Sequence, residues 1–134
     1  MNVKDFFNIV QNMTKQIIQF SGLDMISASE QEKQIVGAYC FGIINGYVFE
    51  KKIDVVHVQA VMIDILIELF KYSPNVAAQF CDFLVQCTDE KFHPSVNSII
   101  HRGMEGYYQL KNGKKEYVKI DIKEIMETVR KYVD

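Results

Sequence analysis

The stretch from Ser29 to Phe49 constrains the fold more than any other part of the chain. Ser29 precedes Glu32 by three residues, a capping box in which each side chain satisfies a free backbone N–H at a helix start. The segment then turns apolar on nearly every helical face, through Ile35, Val36, Ala38, Tyr39, Phe41, Ile43, Ile44, Tyr47 and Val48. A helix with no polar face has to be wrapped by others, so this one belongs in the middle of a bundle. The apolar run Ile35–Phe49 is 15 residues long and carries Asn45, Gly37, Gly42 and Gly46. A bilayer span needs about 20 apolar residues, so no membrane crossing is expected. Each glycine weakens a helix by roughly 1 kcal/mol relative to alanine. Gly42 and Gly46 are four apart and share a face, which points to close approach by another helix or by another chain.

The flanking segments read as helices that do the wrapping. Phe6, Ile9, Val10, Met13, Ile17 and Phe20 recur every three or four residues, predicting an amphipathic helix over about 3–20 that ends at Ser21-Gly22. Asp54 is placed to cap a third helix over about 55–71, with Val58, Val61, Met62, Ile65, Leu66 and Leu69 inward. Ser73-Pro74 is a cap followed by proline at the first helical position. It opens a fourth helix to about Cys87, with Val76, Ala77, Phe80, Phe83 and Leu84 inward. His93-Pro94 opens a fifth helix to about Gln109, and Asn112-Gly113 signals a turn. Residues 116–120 alternate weakly and read as a short extended piece. Asp121 with Glu124 then reads as a second capping box, opening a last helix to about Tyr132. The expected fold is all-α: a single compact bundle of about six helices, one domain over residues 1–134.

Composition narrows the functional class. With 15 basic and 17 acidic residues the net charge is −2, which argues against a protein whose main task is to coat nucleic acid. Cys40, Cys81 and Cys87 form no C-x-x-C pair and sit among apolar residues, the pattern of reduced core thiols. Met1-Asn2-Val3-Lys4-Asp5 lacks the basic-then-apolar pattern of a cleaved leader, so a cytoplasmic location is expected. His57, His93 and His101 are too dispersed for a metal site. No nucleophile–base order, phosphate loop or dinucleotide fingerprint is present. No catalytic, metal or cofactor-binding residue is therefore assigned.

Two constellations are candidates for contact with a partner. Asp64 and Glu68 lie four apart on the third helix and, with Asp54, form a candidate acidic face. Residues 1–70 hold 5 basic and 8 acidic side chains, so an acidic half could steer a basic partner. The second is the run from Phe92 to Gln109, which holds two histidines, one of the chain's two arginines and two adjacent tyrosines. Arginine and tyrosine combine large contact area with directed hydrogen bonds, which makes His93, Arg102, Tyr107 and Tyr108 candidates. The same side chains are equally good at knitting a helix into a core. Asn97 and His101 are expected to form a hydrogen-bonded polar spot within the bundle.

Several of these stretches resemble one family. Phe41-Gly42-Ile43-Ile44-Asn45-Gly46, Lys71-Tyr72-Ser73 with Ala77-Ala78-Gln79-Phe80, His93-Pro94 through Asn97, and His101-Arg102-Gly103-Met104-Glu105-Gly106-Tyr107-Tyr108-Gln109 resemble the immunity protein 48 family of bacterial polymorphic toxin systems. The His-Arg-Gly-x-x-Gly-Tyr-Tyr run is the most specific piece. The resemblance covers about residues 3–109 and leaves out the segment after Gly113. It implies a small helical cytoplasmic protein that protects its producer by binding a cognate toxin domain, without catalysis or cofactor. It carries no residue-level binding site. Two other classes stay open. One is a small helical enzyme built on His93, His101 and Glu105, which requires a pocket with convergent polar groups. The other is a helical regulator, homodimeric through the Gly42/Gly46 face and touching nucleic acid through Lys111, Lys114, Lys115 and Lys119.

Overall fold

A computed structural model describes the backbone of residues 3–133 and the side chains of residues 4–129. Met1 and Asn2, part of the leader reading, lie outside the described residues. Among the described residues the chain forms helices and no strand: α1 Val3–Ser21, α2 Glu30–Lys51, α3 Val56–Glu68, α4 Pro74–Gln86, α5 Pro94–Lys111 and α6 Lys115–Val133.

The capping box forms as read. Glu32 N donates to Ser29 Oγ at 3.1 Å, and Ser29 N donates to Glu32 Oε1 at 3.0 Å. From Ile35 to Val48 α2 is buried on all sides except at Asn45, whose amide donates back to the Phe41 carbonyl. Helices α1, α3, α5 and α6 pack around α2, and α4 packs on α3. The apolar circumference of α2 thus dictates its central place.

The tightest joint is α2 against α5. A Cβ on Gly42 would fall on the Ile100 carbonyl oxygen and 2.8 Å from Gly103 Cα. A Cβ on Gly103 would fall on the Tyr39 carbonyl oxygen and 3.0 Å from Gly42 Cα. Backbone meets backbone here, which only paired glycines allow. The Gly42/Gly46 face is therefore covered by α5 of the same chain, which removes it as a dimer interface.

The last helix departs from the sequence reading. Residues 116–120 are helical, and α6 begins at Lys115 rather than after Asp121. Val118, Ile122, Ile125 and Met126 are the buried positions, a helical spacing that a five-residue window cannot distinguish from alternation. Asp121 sits inside the helix instead of capping it. Val76, expected inward, is exposed near the start of α4.

Candidate partner-binding surface

The run that stands out most in the sequence holds the bundle together. Arg102 Nε donates to Asp121 Oδ1 at 3.0 Å. Its Nη2 donates to the same oxygen and, at 3.2 Å, to Glu124 Oε1. Tyr39 of α2 donates to Asp121 Oδ2 at 3.3 Å, so one carboxylate of α6 collects donors from α2 and α5. Tyr107, expected as a partner anchor, lies in the core at 2 % exposure. Its hydroxyl donates to Glu50 Oε1 at 2.9 Å, and Lys111 donates to Glu50 Oε2 at 2.6 Å. Tyr107 also meets Tyr47 edge to face, with ring centroids 5.8 Å apart.

Asn97 and His101 do not form the expected polar pair. Asn97 is buried and donates to the carbonyls of Cys87 and Thr88 at 2.9 and 3.1 Å. It thereby ties the start of α5 to the end of α4, while His101 faces solvent. His93 is half-buried. Its Nδ1 accepts from Val96 N at 3.2 Å as the cap of α5, and its ring stands edge-on to Phe83. Tyr108 is half-buried, its ring against that of Tyr107.

The geometry separates the residues an enzyme would need together. His93 and Arg102 line a groove of about 670 Å³ between α2, α5 and α6, floored by Ile35, Ile99 and Ile125. His101 instead lines a shallow depression beside Glu90 and Lys91. Glu105 is exposed and accepts from Gln109. Among the described residues no three His, Cys, Asp or Glu side chains cluster as metal ligands. No described helix is long and apolar enough to cross a membrane. The three cysteines are buried, and desolvation pushes their thiols up, Cys81 to about 11. They are poor nucleophiles at neutral pH. In the lysine turn, Lys111 is bound to Glu50, and Lys119 is bound to Glu116 and lies over the Phe20 ring.

The acidic candidates are placed differently. Asp64 and Glu68 continue the outward row of α3 that begins at Val56 and Ala60, and all four are exposed. Asp54 is also exposed, but it stands at the start of the helix, where its Oδ1 accepts from Val56 N at 3.1 Å. At 1.5 Å rise per residue, that is about 15 Å from Asp64 along the axis. The structure therefore brings Asp64 and Glu68 together and leaves Asp54 apart. Beside Asp54 lie side chains that the sequence reading did not single out. Phe49, Val55 and Val56 are 76, 73 and 66 % exposed around the turn from α2 to α3. Their signal was present, since Val55 and Val56 fall outside the inward stripe of α3. An apolar residue beside a helix start nevertheless reads as core by default.

A family model described as immunity protein 48 matches residues 4–130. The match runs through most of α6, including the segment after Gly113 that the motif resemblance left out. No curated protein and no solved structure matches the chain significantly.

Proposed function

The chain belongs to the immunity protein 48 family, and from that premise we propose that it binds and neutralises a cognate toxin domain of a bacterial polymorphic toxin system. Neutralisation is by occlusion in the producer's cytoplasm, not by chemistry on the toxin. The family match over residues 4–130 is the observation that carries this reading. Two features support it. Arg102 and Tyr107 of the His101–Tyr108 run tie α5 to α6 and to α2, which stiffens the scaffold and leaves it less freedom to lose on binding. The histidines and Glu105 do not converge on one pocket, so a reactive centre has no obvious seat.

Stoichiometry tests the mechanism. A candidate toxin domain, sought in the neighbouring reading frames, is expressed in a sensitive cell with increasing amounts of this protein, and the purified pair is then titrated. Occlusion gives growth rescue, a co-eluting one-to-one complex and inhibition that is complete only at equivalence. Protection by a small fraction of an equivalent would mean turnover and would replace this reading with an enzymatic one.

A further inference from the structure

We propose that the outer face of α3, with the turn that leads into it, is the surface that docks on the toxin domain, and that it docks on a cationic patch of that domain. This rests on the immunity reading and assigns it a place on the molecule.

The first observation is an unpartnered apolar face. α3 buries Val58, Val61, Met62, Ile65 and Leu66 against the bundle. Its other side turns only partly polar, with Gln59, Asp64 and Glu68 exposed among apolar residues. Val56 and Ala60 are exposed there, and Ile63 and Ile67 are only half-covered. Phe49 and Val55 extend the apolar surface around the preceding turn. Single exposed apolar residues are ordinary, but three large ones around one turn mark a contact surface.

The second observation is charge, and it selects the occupant. Residues 53–90, which hold α3 and α4, carry Asp54, Asp64, Glu68, Asp82, Asp89 and Glu90 against Lys71 alone, a net charge of −5. The rest of the chain carries 14 basic and 11 acidic residues, so the overall −2 conceals a strongly polarised molecule. All six carboxylates are exposed, and none is in an ion pair among the described residues. Elsewhere Glu50, Glu116, Asp121 and Glu124 are answered by lysine or arginine. Of the six exposed carboxylates, Asp54, Asp64 and Glu68 stand on α3 or the turn before it, on the same side as the uncovered apolar residues; Lys51 and Lys52 open that turn, and Lys51 is held by Glu50. A second copy of this chain would set Asp64 and Glu68 against their own like charges there, and nucleic acid would be repelled. A protein surface with lysines and arginines around an apolar hollow is the complementary partner. A toxin that acts on a polyanion presents such a surface at its substrate cleft, where a docked α3 would exclude the substrate.

Association kinetics with the toxin domain used in the rescue assay test both observations, using three double variants at exposed positions. Asp64→Lys/Glu68→Lys reverses charge on the proposed face, and Glu105→Lys/Glu127→Lys makes the same change of charge on α5 and α6. Phe49→Ser/Val56→Ser removes apolar surface. Thermal unfolding near the wild-type midpoint establishes that each is folded. The first variant should associate roughly tenfold more slowly at low salt and with a flatter salt dependence, and the second should stay within about twofold of wild type. The third should dissociate roughly tenfold faster. Equal association rates for the two charge variants overturn the cationic partner. Unchanged dissociation of Phe49→Ser/Val56→Ser overturns the docking face. If the wild-type chain does not bind the domain at all, the proposed function falls and this assignment falls with it.

Discussion

Asp121 accepts from Arg102 on α5 and from Tyr39 on α2, so removing one guanidinium disturbs a three-helix joint. Arg102→Ala is expected to lower stability by about 1–3 kcal/mol, because the half-buried carboxylate keeps only the tyrosine hydroxyl. Arg102→Lys should recover little of this, since an ammonium cannot reproduce the guanidinium's donor geometry toward Asp121 and Glu124. Gly42→Ala is a steric test of a different kind. Its Cβ meets the Ile100 carbonyl and Gly103 Cα, which cannot move unless α2 and α5 separate, and a loss of about 3 kcal/mol is expected. Urea unfolding of the three variants measures both effects. At this scale the sequence marked the right residues but not their direction. Arg102 and Tyr107 have the chemistry of interface anchors, and that same chemistry lets them join helices. Which use prevails depends on whether Asp121 and Glu50 come within reach.

The helices differ in how far they could be read from local pattern. α2, α4 and α5 begin where side-chain caps place them, at Ser29, Ser73 and His93. A cap is settled by residues three apart, so it is legible without knowing the fold. Ser29→Ala is expected to cost about 1 kcal/mol. The start of α6 was not legible, because Asp121-x-x-Glu124 imitates a capping box and residues 116–120 imitate a strand. In the bundle Val118 is fully buried, while Ile120 is 64 % exposed. Val118→Ala should therefore destabilise by about 1–3 kcal/mol, whereas Ile120→Ser should stay within about 0.5 kcal/mol of wild type. The reverse order would restore the extended reading of this segment.

For the whole molecule, buried acids of high pKa set the alkaline limit. Burial raises the hydroxyls of Tyr39, Tyr72 and Tyr107 and the thiols of Cys40 and Cys81, with nearby carboxylates adding to the tyrosine shifts. In the unfolded chain the same groups ionise near their ordinary values, about 8.5 for cysteine and about 10 for tyrosine. The native state then holds protons that the unfolded state has released. Stability is complete below about pH 8 and falls as pH rises through the thiol and then the phenol range. Urea midpoints measured from pH 8 to 11 should decline steadily, and tyrosine absorbance should show ionisation coupled to unfolding. A flat midpoint over that range would mean that these groups reach solvent in the folded protein.

What the sequence determined alone was whatever depends on neighbours along the chain: the caps, the apolar stripes, and the requirement that α2 lie at the centre. Those rest on periodicity and on backbone groups a few residues away. Tertiary structure decided the rest. Gly42 and Gly46 needed a close neighbour, but only the fold made that neighbour α5 rather than a second chain. Phe49, Val55 and Val56 are apolar in any reading, and only the packed bundle leaves them uncovered. The reason is physical: burial and pairing are properties of the space between elements, and that space exists only once the helices have met.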